Sequence, residues 1–109
     1  MPTNYARGRA FEYRARDHLL KLGATVVIRS AGSKGKIDLL ALFPAVESYT
    51  QWPAVGDVWM VQCKRDGKLP ADEREALLNY ATETGHFAYT AEPGANGRGV
   101  VLTPITTEE

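Results

Sequence analysis

The run Ile37-Asp38-Leu39-Leu40-Ala41-Leu42-Phe43 decides how this chain folds. In an extended chain, Asp38, Leu40 and Leu42 share one side, and Ile37, Leu39, Ala41 and Phe43 share the other. Both sides are apolar, which calls for a strand in a sheet covered on both faces. A carboxylate at the head of such a strand is costly to desolvate alone, so Asp38 needs a metal, a cation or hydrogen-bond donors. Its plainer reading is a turn residue that caps a hairpin and faces water.

On the N-terminal side, residues 24–30 (Ala-Thr-Val-Val-Ile-Arg-Ser) are rich in β-branched side chains and read as a strand. Ala31-Gly32-Ser33-Lys34-Gly35-Lys36 joins the two strands as a small basic turn whose glycines let a ligand approach the backbone. The full glycine spacing of a nucleotide-binding loop is missing, so that reading is excluded. The turn is either a plain hairpin connection or a contact for a phosphate backbone. On the C-terminal side, Pro44 ends the run, and residues 45–56 make a loop that is long for a plain connection. Its Tyr49 and Trp52 either pack on the sheet edge or stack on bases or a partner.

Residues 57–65 read as a third strand. Val58, Met60, Gln62 and Lys64 fall on one face, and Trp59, Val61, Cys63 and Arg65 on the other. Gln62 and Lys64 point the same way, about 6.6 Å apart along the strand. An oxygen donor and an ammonium beside Asp38 suit a hydrated divalent cation. Gln-x-Lys is equally an ordinary strand end emerging into solvent. Cys63 reads as a small core residue.

Further out lie two helices. Residues 4–22 carry Phe11, Ala15, Leu19 and Leu22 at helical spacing, with Gly23 as the stop. Glu12 sits beside that stripe, and its plain role is a surface partner for Arg16. Arg7 and Arg9 lie in the first turns, where phosphate is favoured. Pro70 opens a second helix that runs to Thr84 and stops at Gly85, with Leu77, Leu78 and Ala81 on its buried face. Asp72, Glu73 and Glu75 complement its dipole. Residues 86–90 and 100–103 are short strands joined by a glycine-rich turn, and His86 reads as structural or surface. The order α-β-β-β-α-β-β gives an α/β fold, a mixed five-stranded sheet with helices on both faces.

The 109 residues suffice for one domain. No apolar run approaches the roughly 18 residues of a membrane span. The N-terminus lacks an apolar signal region, so a cytoplasmic location is expected. Cys63, the single cysteine, excludes an internal disulfide and a cysteine-based zinc site. The formal charge is zero, yet residues 1–36 hold Arg7, Arg9, Arg14, Arg16, Lys21, Arg29, Lys34 and Lys36 against only Glu12 and Asp17. Such a basic half is either a polyanion-facing side or chance clustering on a solvated surface.

Gly8-x-x-x-Glu12, Arg29-Ser30-Ala31-Gly32-Ser33, Ile37-Asp38-Leu39 and Val61-Gln62-Cys63-Lys64 together resemble the archaeal-type Holliday junction resolvases of the PD-(D/E)xK nuclease superfamily. The Arg-Ser-Ala-Gly-Ser run at this distance before Asp-Leu is the most specific part, and the resemblance spans roughly residues 6–85. It implies a restriction-endonuclease-like fold, with residues 1–109 as a single nuclease domain. It also implies a Mg²⁺-dependent endodeoxyribonuclease, with Mn²⁺ as a substitute, acting as a homodimer that nicks opposing strands of a four-way junction. Glu12, Asp38 and Gln62 would be the metal ligands, joined by the Cys63 backbone carbonyl. Lys64 would assist the attacking water, and Ser30 would belong to the catalytic set. Arg7, Arg9, Arg29, Ser30, Ser33, Lys34, Lys36 and Arg65 would hold the DNA backbone.

The sequence departs from the family at Gln62, where Glu is usual. It departs again at Tyr13, where a basic residue often follows the helix glutamate. The turn before Asp38 is also slightly longer than usual. Two rivals to junction resolution remain: another nickase of the superfamily, serving repair or restriction, and a junction-binding protein with weak or no turnover.

Overall fold

The computed structural model describes residues 4–30, 37–45 and 56–106. Ser33, Lys34 and Lys36 of the basic turn, and Tyr49 and Trp52 of the long loop, lie outside the described residues. Helix α1 spans Asn4–Leu22, followed by β1 (Val26–Arg29), β2 (Leu39–Leu42) and β3 (Val58–Cys63). Helix α2 (Ala71–Thr84) leads to β4 (Phe87–Pro93), a short 3₁₀ turn (Ala95–Gly97) and β5 (Val100–Pro104). The strands form one sheet in the order β1-β2-β3-β4-β5. Only β3 and β4 pair in parallel, as the intervening α2 crossover requires.

The helices take opposite faces. Phe11, Ala15 and Leu19 of α1 pack with Ala24, Leu39, Ala41, Val61 and Ala91. Leu77 and Ala81 of α2 pack with Met60, Ala88 and Ile105. Adjacent residues of β3, Met60 and Val61, thus feed separate cores, as a strand apolar on both sides demands. The αL geometry at Gly85 (φ 73°) closes α2, its N–H bonding to the Ala81 carbonyl.

Four local expectations change. Leu22 is 52% exposed, because the chain reverses at Gly23 and Ala24 enters the core in its place. Ile37 packs on the α2 side with Leu40, not with Leu39. Alternation holds only from Leu39 onward, since residue 38 is a bend. Pro70 is the residue before α2 and not its first turn, accepting at its carbonyl from Arg74 N–H (2.9 Å). Strand β4 runs three residues further than expected, because Ala91, Glu92 and Pro93 find partners in Leu102, Val101 and Val100.

Candidate active site

Asp38 is fixed from three directions. Its N–H donates to the Val61 carbonyl (2.9 Å), and its own carbonyl accepts from Ser30 N–H (2.9 Å). Its carboxylate Oδ2 accepts from the Cys63 N–H at 2.7 Å. The bend thus ties β1 to β3 and turns the carboxylate toward the end of β3. Asp38 is only 9% exposed. Burial pushes its carboxyl above the usual range; the Cys63 amide opposes this, Glu12 raises it further, Lys64 lowers it and Glu73 raises it. Four charged side chains from α1, the β2 bend, the end of β3 and α2 therefore act on one another across one end of the sheet.

Glu12 does not pair with Arg16, which instead reaches Asp17 at 2.9 Å. Glu12 Oε1 accepts from Arg29 Nε at 2.8 Å in a half-buried pair. The same guanidinium lies 5.3 Å from the centre of the Tyr13 ring, and Arg16 lies 5.0 Å from it. Cationic charge therefore gathers at the Tyr13 position although the residue itself is neutral. Lys64 Nζ sits 3.1 Å from Glu73 Oε2, with both side chains about one-fifth exposed.

Glu73 is the residue that sequence reasoning missed. Its position in the first turn of α2 assigned it to the helix dipole, and no spacing rule brings that turn to the end of β3. The parallel β3–α2–β4 connection does so.

Gln62 is 6% exposed, and its Oε1 finds no hydrogen-bond donor among the described residues. A buried amide oxygen without a partner is costly, and its lone pairs suit a cation. Among the described residues no three His, Cys, Asp or Glu side chains are placed to hold a metal ion. The donor set here is two carboxylates and one amide oxygen, which fits a Mg²⁺ that keeps most of its own waters. Burial and the nearby Asp38 and Glu12 charges push the Cys63 thiol strongly up, so it stays protonated and is no thiolate ligand.

A cleft of about 510 Å³ opens beside Asp38, lined by Ile28, Ser30, Ile37, Leu40 and Tyr80. Arg7 and Arg65, both exposed, line a different depression, across α1 from Glu12. The structure thus brings together Glu12, Asp38, Lys64, Arg29 and Ser30, with Gln62 and Cys63 on the adjoining strand. Arg9 is exposed on α1.

No family model matches the sequence, and no curated protein matches it. Among solved structures, the chain is similar to Archaeoglobus fulgidus Hjc, a Holliday junction resolvase from an archaeal hyperthermophile. The likeness covers 94% of this chain and 80% of that one, with a TM-score of 0.62 and 25% sequence identity. The likeness thus extends over nearly the whole chain.

Proposed function

We propose that this protein is an endodeoxyribonuclease that resolves four-way DNA junctions, cutting phosphodiesters with the help of a divalent cation. The observation that carries this reading is Asp38, a buried carboxylate fixed by the Cys63 amide and acted on by the charges of Glu12 and Lys64, on a fold like that of a junction resolvase. Glu12, Asp38 and Gln62 would hold Mg²⁺, or Mn²⁺ in its place, with the Cys63 backbone carbonyl as a further oxygen donor. When bound, the cation supplies polarisation of a phosphodiester oxygen and a lowered pKa for a water.

The protein's own groups do the rest. Asp38 is pre-positioned by backbone bonds, so little reorganisation remains at the moment of reaction. Lys64, anchored by Glu73, presents an ammonium toward the charge that develops on the phosphate. Ser30, tied through its N–H to Asp38, stands where it can hold the scissile phosphate. Arg29 draws Glu12 into place and, with Arg7, Arg9, Ser33, Lys34, Lys36 and Arg65, contacts the DNA backbone. Contacts of this kind carry shape and position more than base sequence. Paired nicks across a junction require two active sites, so the working form is a homodimer.

The test is a cleavage assay on a mobile four-way junction and a linear duplex of the same sequence, with Mg²⁺, with Mn²⁺ and with chelator. Symmetric metal-dependent nicks in the junction alone are expected, and Asp38→Asn removes them. Equal cutting of the linear duplex would reassign the protein to a general or repair nickase. The buried amide of Gln62, one charge short of a third carboxylate, favours a second reading as a junction-binding protein without turnover. Tight junction binding with no cleavage in either metal would select it.

A further inference from the structure

We infer that Tyr13 is a positioning residue of the candidate centre: its ring decides which arginine pairs with Glu12, and so where that carboxylate points. This rests on the reading of Glu12 as a ligand of the divalent cation.

Helix geometry alone gives Glu12 a different partner. Glu12 and Arg16 stand at i,i+4 with the acid on the N-terminal side, the more favourable order for such a pair. Arg16 is bound instead to its immediate neighbour, its Nε and Nη2 donating to Asp17 Oδ1 at 3.2 and 2.9 Å. Adjacent residues on a helix do not face each other, and these two side chains are more exposed than Arg29 and Glu12, so the pair is weak by itself. A second contact keeps Arg16 there. Its guanidinium lies 5.0 Å from the centre of the Tyr13 ring, one turn earlier on α1. An aromatic face attracts a guanidinium electrostatically, at the surface as well as in a core. Arg14, between them in sequence, is committed elsewhere. Its Nη2 donates to the Gly97 and Gly99 carbonyls at 3.0 and 2.8 Å, which clasps the glycine turn between β4 and β5 to α1.

The same ring acts on the arginine that Glu12 does bind. The Arg29 guanidinium lies 5.3 Å from the ring centre while its Nε donates to Glu12 Oε1 at 2.8 Å. Two consecutive residues of α1 thus present a carboxylate and an aromatic ring to one guanidinium. Arg29 ends β1, and the next residue, Ser30, donates its N–H to the Asp38 carbonyl. Held by Arg29, Glu12 is registered against the bend that carries Asp38. Held by Arg16, it would lie along the surface of α1. Carboxylates that ligate metals are commonly fixed by an outer partner of this kind, and losing that partner weakens metal binding.

The experiment is a Mn²⁺ titration of the DNA-free protein, with the unbound ion followed by its EPR signal. The Arg29 Nε–H resonance is recorded by NMR in the metal-free protein. Tyr13→Phe should bind Mn²⁺ as the wild type does, since it keeps the ring. Tyr13→Leu should bind about three- to fivefold more weakly, the size of one cation–π contact at an exposed site. Its Arg29 Nε–H should exchange faster with water. Adding Arg16→Gln to Tyr13→Leu should recover most of the lost affinity, because the competing arginine is gone, whereas Arg16→Gln alone should change nothing. A ring that merely packs would not be rescued in this way. Tyr13 is exposed, so all variants should keep the wild-type melting temperature. Wild-type Mn²⁺ affinity in Tyr13→Leu overturns the assignment, as does an equal loss in Tyr13→Phe or a double variant no better than Tyr13→Leu. A wild type that binds no Mn²⁺ would overturn the reading of Glu12 and the role of Tyr13 with it. A wild type that binds Mn²⁺ and cuts a four-way junction, beside a Tyr13→Leu of equal affinity, would sink the role of Tyr13 alone.

Discussion

The two faces of β3 are built to different ends. Toward α1 the strand offers Trp59, Val61 and Cys63, all in or against a hydrocarbon core, with the Trp59 ring stacked 4.2 Å from Tyr89 and tilted 45° against Phe43 at 4.3 Å. Toward α2 it begins in the same way with Met60 but continues with Gln62 and Lys64, a buried amide and a half-buried ammonium. One face minimises free energy, whereas the other holds polar groups that the fold alone gives no reason to bury. Along β3 the structural and chemical roles are separated residue by residue.

That contrast can be broken from either side. The largest effect is expected from Asp38→Asn, which should lower junction cleavage by roughly 10²- to 10³-fold, a size typical of losing a pre-positioned group. The same change should stabilise the metal-free protein at neutral pH, because a buried charge is removed while the Cys63 amide keeps an oxygen to bond. The sign follows from linkage. A carboxyl pushed up by burial holds its proton more tightly in the folded state. The stability it contributes is full below the ordinary carboxylate range and is lost as pH rises through its raised pKa. Urea unfolding in chelator across that range should show a decline in the wild type that Asp38→Asn flattens.

On the opposite face, Leu19→Ala removes a fully buried side chain of α1 and should cost about 3 kcal/mol of stability. Cleavage per folded molecule should stay intact. A loss of activity matching that of Asp38→Asn would mean the faces are not independent.

Smaller effects sharpen the comparison. Glu73→Gln should reduce kcat by about tenfold with little change in KM for DNA, since it frees the ammonium proposed to face the charge developing on the phosphate. In a Lys64→Ala background the same substitution should do nothing further, and an additive loss would assign Glu73 a different role. The mildest change is Gln62→Glu, which restores a third carboxylate. Half-activation should move to lower metal concentration, with maximal rate kept or raised. A dead variant would show that the glutamine is not a weakened ligand.

Much of this was legible in the sequence. The two-sided apolar run at 37–43 announced a sheet between helices, and Asp38 was marked by its place at the head of that run. Lys64 was readable only once Asp38 was beside it. What stayed hidden depended on contacts that local periodicity does not encode. Ile37 changes sides because a bend precedes β2. Glu12 prefers Arg29, a partner 17 residues away, to the helical neighbour that spacing rules favour. Glu73 carried an adequate local explanation as a dipole-complementing acid, and that explanation concealed its contact with Lys64.

The clasp from Arg14 to the glycine turn has a consequence for the order in which the protein becomes usable during synthesis. Its two carbonyl partners lie 83 and 85 residues further along the chain. Helix α1 leaves the ribosome early with its guanidinium waiting, while Asp38 and the end of β3 can already be paired. Only when the last hairpin emerges does Arg14 draw the turn in and complete the wall beside Arg7 and Arg65. A nascent chain can therefore carry its buried carboxylate in place before that wall beside it has closed.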